Sequence, residues 1–129
     1  MEDNKYKILV VEDEFIVAAD IRMTLQKLNY SVTSTVNNGE DALKKVLFEK
    51  PDLILMDITL KGELDGIETA KIIMAQHGLP VIYLSALNDE RTLDRALSTK
   101  PYGYLIKPFA AVELQTVIKS ALTKSHAFI

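Results

Sequence analysis

The chain has 129 residues, of which 48% are hydrophobic and 26% charged, values that suit one soluble globular domain. It contains no cysteine, which excludes disulfides, thiolate metal sites and cysteine nucleophiles. Its net charge of −3 gives no general attraction to nucleic acid, no apolar stretch is long enough to cross a bilayer, and no signal-peptide pattern is present. We therefore expect a cytoplasmic protein that binds neither nucleic acid nor membrane directly.

Short apolar segments alternate with segments of helical periodicity along the chain. The predicted strands are 6–11, 31–36, 52–57, 80–85 and 102–107. The first, third and fourth are almost wholly apolar, which is typical of strands covered on both faces. The second is more polar, and we expect it at an edge of the sheet.

Residues typical of helix ends lie between these segments. Asp65 and Glu68 predict a capping box at the start of the third helix. Asn37 and Glu40 are expected to do the same for the second helix, and Asn88 is suited to begin the fourth. These boundaries leave five helical segments, each following a strand.

Five strands alternating with five helices predict an α/β fold with a parallel sheet and helices on both of its faces. At this length the expected arrangement is flavodoxin-like and doubly wound, with strand order 2-1-3-4-5. In that order the first and third strands are neighbours, and the direction of winding changes between them. Ligands bind to such folds beyond the carboxyl ends of the strands at this switch point.

Polar residues stand at the carboxyl ends of four of the predicted strands. They are Glu12, Asp13, Asp57, Ser85 and Lys107. Each has an ordinary explanation by itself, because acids often cap helices, hydroxyls often end strands and lysines are usually solvated. Five such groups around one switch point favour a functional site instead.

The composition of this set predicts its chemistry. Three converging carboxylates repel one another unless a cation offsets their charge, and oxygen ligands favour Mg²⁺ over zinc. With Lys107 and Ser85 beside it, a bound Mg²⁺ would make the site suitable for an oxyanion. A site with a metal ion and a lysine that bind an oxyanion is suited to phosphoryl transfer. Asp57, the most central carboxylate, is the natural nucleophile and would form an acyl phosphate.

The segments VVEDE, LMDITL, YLSA and GYLIKPF, in this order and spacing, resemble the receiver domain of two-component response regulators. The resemblance covers about residues 5–124 and implies a single receiver domain over residues 1–129, with no output domain. It implies that Asp57 accepts a phosphoryl group from the phosphohistidine of a sensor histidine kinase or a phosphotransfer domain. The protein would then be a signalling switch and not an enzyme.

The resemblance also implies a role for each site residue. Glu12 and Asp13 match the acidic pair that holds Mg²⁺, together with Asp57 and the backbone carbonyl of Thr59. These four residues would form the protein's part of the magnesium site.

A second group of residues matches the family's switch. Lys107 would pair with the phosphoryl group, and the bond from it to Pro108 is usually cis in the family. Ser85 matches the switch hydroxyl, and Tyr104 matches the aromatic residue that turns inward on activation. The affected face would consist of the fourth helix, fifth strand and fifth helix, whose mixed charges suit a homodimer, a partner or simply a solvated surface.

The sequence departs from the family pattern at two places. Lys61 stands where a proline is common after the phosphoacceptor, and the loop before Asp65 is one residue longer than usual. Leu87 lies two residues after Ser85, where the family often has a polar side chain. Because an apolar group there should order water poorly, we predict slow self-dephosphorylation.

Three other interpretations use the same residues. A flavodoxin-like cofactor binder would need a loop rich in Ser, Thr and Gly after the first strand, but residues 12–14 are Glu-Asp-Glu. A haloacid-type phosphohydrolase would need a second Asp at the position of Thr59. A degenerate receiver that only docks to partners would not need the full set of Asp57, Lys107 and Ser85.

Overall fold

The computed structural model describes residues 5–86 and 90–125 of the chain. Strands and helices alternate strictly within these ranges. In chain order they are β1 (Lys7–Val11), α1 (Phe15–Lys27), β2 (Ser31–Val36), α2 (Gly39–Glu49), β3 (Leu53–Asp57), α3 (Gly66–His77), β4 (Val81–Ser85), α4 (Glu90–Ser98), β5 (Gly103–Ile106) and α5 (Ala111–Ser125). No helix in the described ranges is long and apolar enough to cross a membrane.

All five strands are parallel, and their order in the sheet is β2-β1-β3-β4-β5. The flavodoxin-like fold predicted from the sequence is therefore confirmed, including the edge position of β2 and the pairing of β1 with β3. The predicted strand limits differ by a residue at several ends. One difference affects the site: β5 ends at Ile106, so Lys107 is the first residue after the strand and not its last.

The sheet is covered by a hydrophobic core on each face. Alternate residues of one strand point to opposite faces, so Leu53 and Leu55 pack toward α1 and α5, whereas Ile54 and Met56 pack toward α2, α3 and α4. All four side chains are completely buried. Since burying one such side chain contributes roughly 1.5–3 kcal/mol, the central strands hold the carboxyl edge of the sheet rigidly in place.

The structure confirms the cap predicted for α3 and corrects the cap predicted for α2. The capping box of α3 is present: the Glu68 amide donates to Asp65 at 2.8 Å, and the Asp65 amide donates to Glu68 at 3.1 Å. For α2 the predicted cap is wrong by one residue, since Asn38 accepts a hydrogen bond of 2.8 Å from the Asp41 amide. Asn38 has the extended backbone that an N-cap needs, and α2 starts directly after it. Asn88, predicted to begin α4, lies outside the described residues.

Candidate functional site

The three acidic residues predicted at the carboxyl edge of the sheet converge in the structure. Glu12 and Asp13 follow β1, and Asp57 ends the neighbouring strand β3. One carboxylate oxygen from each of the three lies within 4.8 Å of the others. Glu12 and Asp57 are buried and Asp13 is half-buried, so the charges are concentrated where water screens them poorly.

Lys107 brings a positive charge to this acidic cluster. Its ammonium group lies 3.0 Å from Glu12 Oε1 and 3.4 Å from Asp57 Oδ2, with the exposed Glu14 at 4.0 Å. The backbone amide of Lys107 donates to the Ser85 carbonyl at 2.7 Å, and the bond to Pro108 is cis. The hydrogen bond between Lys107 and Ser85 holds the end of β5 beside β4, and the lysine side chain reaches back across the sheet edge.

The environment shifts the pKa values of these groups in different directions. Burial raises the pKa of Glu12 to about 7, although the hydrogen bond from Lys107 opposes this. Burial also favours a neutral Asp57, but hydrogen bonds from the Thr59 amide and from Glu12, together with the Lys107 charge, bring the pKa of Asp57 below its ordinary value. The pKa of Lys107 is raised because its two carboxylate neighbours outweigh its desolvation. The lowered pKa keeps Asp57 ionised at neutral pH, as a nucleophile must be.

Thr59 orients the Asp57 carboxylate. Both the amide and the hydroxyl of Thr59 donate to Asp57 Oδ1, each at 2.9 Å. The other oxygen, Oδ2, faces Lys107. The role of the Thr59 carbonyl as a metal ligand stays a prediction, whereas its hydroxyl contact with Asp57 is a feature that the sequence did not reveal.

Ser85 and Tyr104 lie on the strands next to this cluster. Ser85 is buried at the end of β4, and Leu84 before it pairs with Asp57 in the sheet register. Tyr104 pairs with Tyr83 across β5 and β4, and its ring packs against the core beneath α2, α3 and α4. Its hydroxyl is buried and has no hydrogen-bond partner among the residues that the structure describes. Leu87, linked above to slow dephosphorylation, lies outside the described residues.

The donor set suits a hard divalent cation. Three carboxylates supply only oxygen ligands, and the single ammonium of Lys107 offsets part of their charge. Mg²⁺ is bound in proteins through one or two carboxylates, waters and phosphate oxygens. The residues present therefore fit Mg²⁺, and one side of the cluster is open at the half-buried Asp13.

Contacts of Glu14 and of Arg95 were also not found from the sequence. Glu14 approaches Lys107, and its amide donates to Glu12 Oε2 at 3.1 Å. Its only sequence signal was its place in the acidic run 12–14. Arg95 of α4 pairs with Asp65 at the start of α3, 2.8 Å apart, and no local pattern indicates that two such distant residues meet.

Comparison with known proteins agrees with this geometry. The family model of the response regulator receiver domain matches residues 8–119. Among curated relatives, the alkaline phosphatase synthesis transcriptional regulatory protein PhoP of Bacillus subtilis is 38% identical over 121 residues, covering 93% of this chain and 50% of the relative. The transcriptional regulatory protein PdtaR of Mycobacterium tuberculosis is 28% identical over 118 residues, covering 92% of this chain and 57% of the relative. The chain thus spans about half the length of the curated relatives it matches.

Solved structures show the same likeness. The signal receiver domain of a modulated diguanylate cyclase from Desulfovibrio desulfuricans is 38% identical with a TM-score of 0.93, and the match covers 98% of this chain and all of that one. The BeF3-activated N-terminal receiver domain of Klebsiella pneumoniae RstA is 28% identical with a TM-score of 0.82, covering 90% of this chain and 97% of that one. The chain belongs to the family of response regulator receiver domains, which act in two-component signalling systems.

Proposed function

We propose that this receiver takes a phosphoryl group onto Asp57 from the phosphohistidine of a sensor histidine kinase or a phosphotransfer domain, in a reaction that requires Mg²⁺. The observation that carries the proposal is the convergence of three carboxylates and Lys107 around Asp57. A buried cluster of this kind has no structural benefit that apolar side chains would not provide better. It does provide the charge neutralisation that phosphoryl transfer needs.

The proposed step forms a bond between a carboxylate oxygen of Asp57 and phosphorus while the bond from phosphorus to the histidine nitrogen breaks. The lowered pKa of Asp57 keeps it ionised, and Thr59 holds the carboxylate in one orientation. Lys107 stands where it would pair with the phosphoryl oxygens. Glu12, Asp13, Asp57 and the carbonyl of Thr59 would hold Mg²⁺, which when bound would neutralise charge on the transferred group.

The phosphoryl group would act on the switch residues through its three strong acceptor oxygens. We infer that the Ser85 hydroxyl moves to donate to it and that Tyr104, whose ring already packs against the core, moves further into the space vacated. This would shift the population between two packings of the face formed by α4, β5 and α5. Leu97, Ile106 and Val112 of that face are each about half exposed or more, which suits a homodimer or another partner surface.

The phosphodonor would dock beside the site. An apolar groove of about 480 Å³ begins at Lys107 and is lined by Ile16, Val17 and Phe109 among others. Phe15 and Ile16, at the start of α1, are 85% and 81% exposed, although aliphatic and aromatic side chains are normally buried. A helix of the donor protein seated on this surface would bring its phosphohistidine to Asp57.

On this proposal the protein is a cytoplasmic signalling switch that catalyses its own phosphorylation, and not an enzyme for a separate substrate. The rival interpretations gain no support from the site. The first loop presents carboxylates instead of the backbone cradle of a cofactor binder, and Thr59 binds Asp57 where a phosphohydrolase would carry its second acid.

Acetyl phosphate and Mg²⁺, followed by separation on a phosphate-binding gel, test the proposal. We expect a retarded band with the natural protein and none with Asp57→Asn. Asp20→Asn is the matched control, because Asp20 is exposed on α1 and the change removes the same charge. Absence of the band in the natural protein, or its persistence in Asp57→Asn, would overturn the assignment of Asp57.

A further inference from the structure

One carboxylate joins the first turn of α3 to α4. Asp65 Oδ1 accepts from the Glu68 amide at 2.8 Å and so caps α3, while Asp65 Oδ2 lies 2.8 Å from Nη1 of Arg95 in the last turn of α4. The hydrogen bond and the charge of Asp65 raise the pKa of the Arg95 guanidinium, so Arg95 stays a cation. The two helices are therefore linked by a short charge-assisted hydrogen bond.

The residue after Asp65 lies against the phosphoacceptor strand. Gly66 is buried, and a methyl group on its Cα would overlap the carbonyl oxygen of Asp57. Only glycine allows the start of α3 to come so close to the end of β3. An unbroken series of contacts thus leads from Asp57 through Gly66 and Asp65 to Arg95.

Several contacts hold α4 against the rest of the domain, and Arg91 and Thr92 of this helix also interact with other groups. This helix has nine residues, and Ala96 is the one that it buries. Just after its end, Thr99 shares a hydrogen bond of 2.8 Å with the hydroxyl of Tyr83. The Arg95–Asp65 ion pair adds to these contacts a direct polar link between α4 and the start of α3.

We propose that the Arg95–Asp65 ion pair is a latch that holds α4 in the unphosphorylated packing and couples the α4 surface to Asp57 by a route separate from Ser85 and Tyr104. This inference rests on the proposed function. At 2.8 Å the pair is at its optimal length, so any displacement of α4 relative to α3 weakens it. Coupling between two sites is reciprocal, and release of the latch should therefore favour occupation of the phosphorylation site.

The test measures the affinity for beryllofluoride, a phosphoryl analogue, in the presence of Mg²⁺ by titration calorimetry. Arg95→Met removes the cation, and Asp65→Asn removes the charge while keeping an oxygen for the helix cap. We expect each variant to bind beryllofluoride roughly two- to fivefold more tightly, the range for an exposed ion pair. The double variant should bind no more tightly than either single one, because both changes break the same contact.

Lys45→Met is the matched control, because it removes one positive charge from another helical ion pair, with Glu49 on α2. The affinity of Lys45→Met for beryllofluoride should equal that of the natural protein. An affinity of Arg95→Met no different from that of Lys45→Met, or effects that multiply in the double variant, would overturn the latch.

Hydrogen exchange on the unliganded protein separates failure of the latch from failure of the proposed function. Amides of α4 should exchange faster in Arg95→Met than in Lys45→Met, whereas equal rates would overturn the latch. If the natural protein does not bind beryllofluoride with Mg²⁺, the proposed function fails, and the exchange comparison still decides whether Arg95 restrains α4.

Discussion

Lys107 donates a hydrogen bond of 3.0 Å to Glu12, although 95 residues separate them along the chain. Glu12 is completely buried at its side chain, and Lys107 is 16% exposed there. The pair lies within a cluster of like-charged carboxylates, so the lysine offsets a repulsion that would otherwise act on the folded state. This relationship determines how the domain should respond to mutation, metal and pH.

Lys107→Met should destabilise the metal-free domain by about 1–3 kcal/mol, because it leaves Glu12 and Asp57 without their charged partner. Mg²⁺ should restore most of the loss, since it supplies positive charge to the same carboxylates. Thermal unfolding with and without Mg²⁺ measures both effects. Lys45→Met, on the surface of α2, should change neither value appreciably. An unchanged or higher melting temperature of Lys107→Met without metal would contradict this explanation.

The raised pKa of Glu12 predicts a proton linkage in Mg²⁺ binding. In the metal-free protein Glu12 holds its proton up to a pKa of about 7, because burial disfavours the carboxylate. Proton binding by this group stabilises the fold fully below the ordinary glutamate pKa of 4.5, and that contribution is lost as the pH rises through about 7. Mg²⁺ competes with the proton, so its affinity should rise with pH and level off above about 7.

Calorimetry in two buffers with different heats of protonation measures the proton released per Mg²⁺ bound. At pH values below the pKa of Glu12, the number of protons released per Mg²⁺ bound should approach one. This release should disappear in Glu12→Gln. A Mg²⁺ affinity that stays constant across neutral pH would show that Glu12 is already ionised before the metal binds.

Tyr83 and Tyr104 offer a matched pair of hydroxyl deletions on neighbouring strands. Tyr83→Phe removes the hydrogen bond to Thr99 and should cost about 1 kcal/mol. Tyr104→Phe removes a buried hydroxyl that has no partner among the described residues, so stability should stay the same or rise. Urea unfolding of both variants makes the comparison. A larger loss for Tyr104→Phe than for Tyr83→Phe would reveal a contact of the Tyr104 hydroxyl in solution.

The prediction of slow self-dephosphorylation concerns Leu87, two residues after Ser85. An apolar side chain at this position orders the attacking water poorly, so the phosphoryl group on Asp57 should persist for minutes or longer. Replacing Leu87 with Asn should shorten the lifetime, and Leu87→Met should leave it nearly unchanged. Loss of the retarded gel band with time, after removal of acetyl phosphate, gives the rates. A lifetime of seconds in the natural protein would contradict the prediction.

The sequence by itself was enough to predict the fold and the members of the acidic cluster. Continuous apolar runs separated by helical periods specify buried parallel strands, and parallel strands present their carboxyl ends at one edge. Glu12, Asp57 and Lys107 each stand at such an end, so their meeting follows from the order of the elements without knowledge of any distance.

Only the tertiary structure decided which of these groups contact one another. The preference of Lys107 for Glu12, the Arg95–Asp65 ion pair and the Tyr104 hydroxyl without a partner among the described residues all depend on distances between side chains of separate elements. The close approach of Gly66 to Asp57 likewise depends on how α3 packs against β3. Periodicity and capping patterns act over a few residues of one segment, whereas these contacts are set by packing across the whole sheet.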